Sequence, residues 1–180
     1  MDTFTFYIHF SRTQSKLSKL LQWYEGVPIS HVLVEFETPH LGQNFVYHSV
    51  MGGGVSFLSR AKFDKKNEIM ETYKISLEKG EYRIMRNQLL THCGEQYAVM
   101  QNLGVVLVDL IRKFKDMQEN PFKEGQNCSE LIYRYVIPYV CADSGEYTPD
   151  LVKPSQIRNL LKDNNIKPII SMIETEKKGK

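Results

Sequence analysis

Between Thr3 and Leu77 the chain returns repeatedly to short runs in which apolar or β-branched residues recur every second position, and this period constrains the fold most. Phe4, Phe6, Ile8 and Phe10 alternate along one face of a strand. His31 to Phe36 is dense in Val and Leu, and Phe45 to Met51 follows after a turn over Thr38–Gln43 that holds Pro39 and Gly42. These two runs read as a hairpin. Gly52-Gly53-Gly54 bends the chain into a short strand at Val55–Leu58, and Glu68–Leu77 alternates through Tyr73, Ile75 and Leu77.

The helical period sits around this block. Leu17, Leu20, Leu21 and Tyr24 fall at i, i+3, i+4 and i+7, so a helix capped by Ser11 or Thr13 ends at Gly26-Val27-Pro28. Tyr82, Met85 and Leu89 mark a helix over about Glu81–Cys93, and Asn102–Phe114 has the pattern of an apolar helix. Met117–Gly125 reads as a polar loop, Leu131, Ile132, Tyr135 and Val136 as the inner face of a helix ending near Pro138, and Ser155–Lys162 as the last helix. Ile169–Ile173 has the composition of a final strand. Strand, helix, sheet block, then helices is the order of an α+β domain, expected over 1–173 with a charged tail at 174–180.

Composition narrows the function classes. A net charge of +2 with scattered basic residues gives no footprint for nucleic acid or an anionic membrane. The first ten residues read as a strand rather than a signal peptide, and Leu103–Ile111 is too short and too polar to span a bilayer. Three cysteines without a Cys-x-x-Cys pair form neither a disulfide framework nor a zinc ribbon, so a reducing, cytoplasmic setting is expected. A Cys93–Cys141 disulfide has nothing to support it.

Cys128 stands apart. In Gln126-Asn127-Cys128-Ser129-Glu130, Asn127 is a good N-cap and Glu130 falls where a capping box needs it. Cys128 then sits at the first helical position, where the helix dipole biases a thiol toward thiolate. A nucleophile there needs a base and a group to orient that base. Of the five histidines, His9 is out of phase with its strand's apolar face and reads as a surface or strand-end residue. His40 lies in a turn, and His92 at a helix end, as a dipole partner. His31 opens the second strand and His48 lies in the third, so hairpin pairing can bring the two rings together.

These elements have a family resemblance. Ser30-His31-Val32, the late Cys128-Ser129-Glu130-Leu131, and the order histidine strand before cysteine helix resemble the permuted papain-like amidohydrolases of the YiiX type. That family is related to NlpC-type peptidases and to lecithin retinol acyltransferase. The resemblance spans most of Phe4–Leu161, including Thr148-Pro149-Asp150-Leu151. It implies a circularly permuted papain-like fold, an antiparallel sheet against helices, and a Cys-His-His triad of Cys128, His31 and His48. Gln126 and Tyr97, the latter after Gly94-Glu95-Gln96, are candidates for the oxyanion or substrate side. The implied activity is hydrolysis of an amide or ester bond, or acyl transfer through a thioester, on a peptide-like or acyl-containing substrate and without a cofactor. A bacterial or phage source accords with the resemblance. Departing from the resemblance, neither the leader of envelope-directed relatives nor the C-terminal anchor of lipid acyltransferases is expected, so lipid acyl transfer is the less favoured branch. Two other readings stay open at this point: a non-catalytic peptide- or lipid-binding module on the same fold, and a zinc site made by His31, His48 and Cys128.

Overall fold

The computed structural model describes residues 2–50, 53–96 and 127–172. Six antiparallel strands form one sheet: β1 (Thr3–Arg12), β2 (His31–Phe36), β3 (Phe45–Val50), β4 (Gly54–Ser59), β5 (Glu68–Glu78) and β6 (Ile170–Ser171). Their spatial order is β4-β3-β2-β1-β5-β6, so the fold is α+β.

Alternation decides which side chains meet the helices. Phe6, Ile8 and Phe10 of β1 are fully buried and share the main core with Val32, Val34 and Phe36 of β2 and Tyr73, Ile75 and Leu77 of β5. Burying each such side chain contributes about 1.5–3 kcal/mol. The cover comes from α3 (Lys79–Thr91) through Tyr82, Met85 and Leu89, α4 (Cys128–Tyr135) through Leu131 and Ile132, and α6 (Pro154–Asp163) through Ile157, Leu160 and Leu161. The opposite sheet face carries a smaller cluster of Leu33, Val46 and Phe63. Phe63 belongs to α2 (Arg60–Phe63), a single helical turn too short to show a period in the sequence.

Several boundaries move for local reasons. The first helix, α1 (Lys16–Glu25), is capped by Ser15, whose hydroxyl accepts from Ser18 N–H, and not by Ser11 or Thr13. Strand pairing is the cause: β1 continues against β5 as far as Arg12–Glu68, which keeps the chain extended past Ser11. Gly26, at φ 65°, ends α1 in the left-handed region that glycine tolerates. The helix after Cys128 stops at Tyr135 and restarts as α5 (Ile137–Val140), with Pro138 in its first turn. The final strand shortens to two residues pairing with Glu71 and Thr72 of β5.

One ion pair ties the helices to the sheet. Glu71, fully buried, accepts from Arg158 Nε at 2.6 Å and Nη2 at 2.7 Å, from Ser171 Oγ at 2.8 Å and from Tyr73 Oη at 3.1 Å. Those bonds join α6, β5 and β6 at one carboxylate. No helix among the described residues is long and apolar enough to cross a membrane. The segments Asn102–Phe114 and Met117–Gly125 lie outside the described residues.

Candidate active site

The sheet opens where the candidate residues lie. β1 and β2 stay paired to Ser11–His31, and β3 and β4 stay paired to Val50–Gly54. The β2–β3 ladder, however, runs only through Phe36–Phe45, Glu35–Val46 and Val34–Tyr47. Beyond Tyr47 the two strands diverge, with His31 on one arm and His48 on the other. Their ring centroids are 6.1 Å apart, in an edge-on arrangement of 68°. His48 also stands edge-on to Phe63, at 5.7 Å.

Cys128 lies on the helix-covered side of the sheet, in the main core. It is the first residue of α4, and Asn127 Oδ1 caps the helix by accepting from Glu130 N–H at 2.7 Å. The thiol sulfur lies 3.9 Å from Ser129 Oγ, and its helix packs against β2. The sulfur is not hydrogen-bonded to either imidazole.

Electrostatics reverse one expectation. Burial pushes the Cys128 thiol above its ordinary value, outweighing the pull of neighbouring donors, Ser129 among them, in the other direction. A residue 5% exposed has too little water around it to support a thiolate. Burial likewise drives His31 down to about 3, with the neighbouring His48 as a lesser cause, and lowers His48. Burial therefore favours the neutral form of the Cys128 thiol and of both imidazoles.

Four buried side-chain atoms lack a hydrogen-bond partner among the described residues: Ser11 Oγ, His31 Nε2, His48 Nδ1 and Asn127 Nδ2. They fall in two places: Ser11, His31 and His48 are out of phase with the main-core residues of their strands, with His48 against Phe63, whereas Asn127 lies beside Cys128 on the helix-covered side. Ser11 faces His31 across the β1–β2 pair, and Asn127 precedes Cys128. Each such atom costs about 1–3 kcal/mol, and folded proteins keep few of them.

The other sequence candidates are dispersed. His9 is not a surface residue: it is 2% exposed, with Nδ1 at 2.9 Å from Thr72 Oγ1 and Nε2 at 2.8 Å from Glu35 Oε2. Being out of phase with the apolar face puts it on the second, covered face, where Asn44 and Arg60 also bind Glu35. His40 is exposed, and His92 caps α3 with its ring 4.6 Å from Tyr135. Cys93 is exposed, Cys141 is buried, and both are free thiols. Gln126 and Tyr97 lie outside the described residues. Among the described residues no group of three or more His, Cys, Asp and Glu side chains could hold a metal ion, so the His₂Cys zinc reading has no ligand cluster there.

Sequence reasoning passed over the surroundings of the thiol. A narrow crevice of about 10 Å³ beside Cys128 is lined by Leu21, Tyr24 and Glu25 of α1, Ser30, and the segment Val152–Pro154. Glu25 carried a signal: a carboxylate as the last residue of a helix opposes the helix dipole. It is compensated from elsewhere, since Glu25 Oε2 accepts from Ser155 N–H, in the first turn of α6, at 3.0 Å. No protein-family model matches this chain, and no curated protein matches it.

Proposed function

We propose that the chain is a cysteine-dependent hydrolase with a circularly permuted papain-like arrangement, cleaving an amide or ester bond or passing the acyl group to another nucleophile. Cys128 is the nucleophile, His31 the base and then the acid, and His48 the residue that orients His31. The observation that carries this reading is that His31 and His48, with ring centroids 6.1 Å apart, each keep a buried ring nitrogen without a hydrogen-bond partner among the described residues. Structural polar groups in a core are normally satisfied, whereas groups kept for a substrate are not.

The chemistry follows from the neutral resting state. Because the thiol is raised and the imidazole lowered, the proton leaves sulfur as the sulfur attacks, rather than in advance. The Cys128 S–H bond breaks, the proton goes to His31, and a C–S bond forms at the acyl carbon. The backbone N–H of Cys128, at a helix start, is a donor for the oxyanion. His31 returns the proton to the leaving nitrogen or oxygen as the tetrahedral adduct collapses to a thioester. Water, or a second nucleophile, then releases the acyl group. His48 acts on His31 through ring contact and as a neutral neighbour, which stabilises an imidazolium less than a carboxylate would.

The test is a panel of thiol-directed activity probes and amide and ester substrate libraries, run on wild type and Cys128→Ala. Turnover present in the wild type and abolished by the substitution supports the assignment. Turnover that survives in Cys128→Ala removes Cys128 as the nucleophile.

A further inference from the structure

The thiol is closed in by two pieces of chain far apart in sequence. One wall is the end of α1, with Leu21, Tyr24 and Glu25; the other is Val152–Pro154 at the start of α6. Two contacts join the walls. Glu25 Oε2 accepts from Ser155 N–H at 3.0 Å, and Lys153 Nζ sits 5.4 Å from the centre of the Tyr24 ring. With Cys128 5% exposed and a crevice of about 10 Å³, no acyl group reaches the sulfur while the walls are joined.

Glu25 and Lys153 both line the crevice beside Cys128, and the Lys153 charge also acts on Glu25. The Glu25 carboxylate field reaches the Cys128 thiol and raises it, while the Lys153 ammonium rides on the Tyr24 ring. Parting the walls takes the Ser155 N–H from Glu25, and a largely buried carboxylate then needs another donor. A substrate nitrogen fills that need.

We propose that the crevice between α1 and Val152–Pro154 is the substrate entrance, clasped shut by the Glu25–Ser155 bond, and that Glu25 takes up a substrate amine when the clasp opens. The amine clause rests on Cys128 being the nucleophile; the clasp does not. The substrate class is an amide or ester with an ammonium group close to the scissile bond. Pairing that ammonium with Glu25 cancels the negative field at the sulfur, so the correct substrate also helps to ionise the thiol.

Labelling of Cys128 tests this without turnover, in full-length chain carrying Cys93→Ser and with the modified peptide identified by mass. The reagents are methanethiosulfonates bearing an aminoethyl, a sulfonatoethyl or a methyl group. In each, the thiolate attacks the sulfenyl sulfur, a disulfide forms and methanesulfinate leaves. Relative to a simple free thiol, the aminoethyl reagent is expected to outpace the sulfonatoethyl one by about ten-fold. Glu25→Gln keeps an acceptor for Ser155 N–H and should return that ratio to the free-thiol value. Glu25→Ala opens the clasp and should raise the rate of the neutral methyl reagent by about ten-fold. Lys153→Ala, which loosens the other contact, should raise it in the same direction and stands in if Glu25→Ala does not fold.

No charge preference in the wild type, or one unchanged in Glu25→Gln, overturns recognition by Glu25. A neutral rate unmoved in the opened variants overturns the clasp. Survival of turnover in Cys128→Ala would instead sink the catalytic reading while leaving the labelling results to judge the clasp.

Discussion

His31 makes the fold sensitive to mild acid, by an amount that can be worked out. Burial lowers its imidazole from 6.5 to about 3, and at 8% exposure little solvent screening reduces the effect. The folded value of a base is depressed, so between those two values the unfolded chain binds a proton that the folded chain refuses. Stability is fully present above about pH 6.5 and is lost as the pH falls toward 3. At 1.36 kcal/mol per tenfold change in proton binding, the loss from pH 7 to pH 5 is about 2 kcal/mol, and about 4–5 kcal/mol by pH 3. His9 and His48, also lowered by burial, add to it in the same direction. Glu25, raised by burial, acts in the opposite sense as its carboxyl protonates. Comparing wild type with His31→Gln isolates the His31 share. Urea unfolding at pH 7 and pH 5 should show the variant losing about 2 kcal/mol less than wild type between the two conditions. Far-UV circular dichroism is the better probe, because Trp23, the single tryptophan, is 79% exposed and reports poorly on the core. Equal losses in the two proteins would refute the claim that His31 is held neutral by the fold.

Two further substitutions test other parts of the scaffold. Glu71→Ala removes the carboxylate that binds Arg158, Ser171 and Tyr73, leaving the guanidinium buried with two charge-assisted bonds gone; a loss of about 3–5 kcal/mol in urea unfolding is expected. Asn127→Ala removes the cap on Glu130 N–H and should cost about 1 kcal/mol, a modest figure because it also deletes the partnerless Nδ2. A change of less than about 0.3 kcal/mol would mean that the first turn of α4 is held by its packing alone.

Much of the sheet was legible because period-two alternation is a direct imprint of a strand with two different faces. The segment His31–Phe36 was read correctly as a strand, although it is buried on both faces, because its β-branched density substitutes for alternation. The Asn127 cap was equally readable, since its warrant is local: a side chain bonding its own helix. What could not be read depends on pairing at a distance. His9 looked like a surface residue because its partners, Glu35 and Thr72, lie on two other strands. The ionisation of Cys128 was misjudged for a related reason. The dipole at a helix start is written in the local sequence, but the burial that overrides it comes from β2, α1 and the segment before α6. The end of the β2–β3 ladder at Val34–Tyr47 has no mark in either strand.

The Glu25–Ser155 bond spans 130 residues of chain. Its consequence concerns the order in which a ribosome delivers this protein. β1, the first strand made, needs both β2 and β5 as neighbours, and both histidines are synthesised long before the cysteine helix that approaches them. Every strand of the nascent sheet but the last can therefore pair while no thiol is near an imidazole. The cysteine then arrives, and within some thirty residues the segment that closes over it follows. On the proposed reading Cys128 goes uncovered only for that short interval: an emerging chain makes His31 and His48 first, and a finished one presents the Cys128 thiol only when something draws the two helix ends apart.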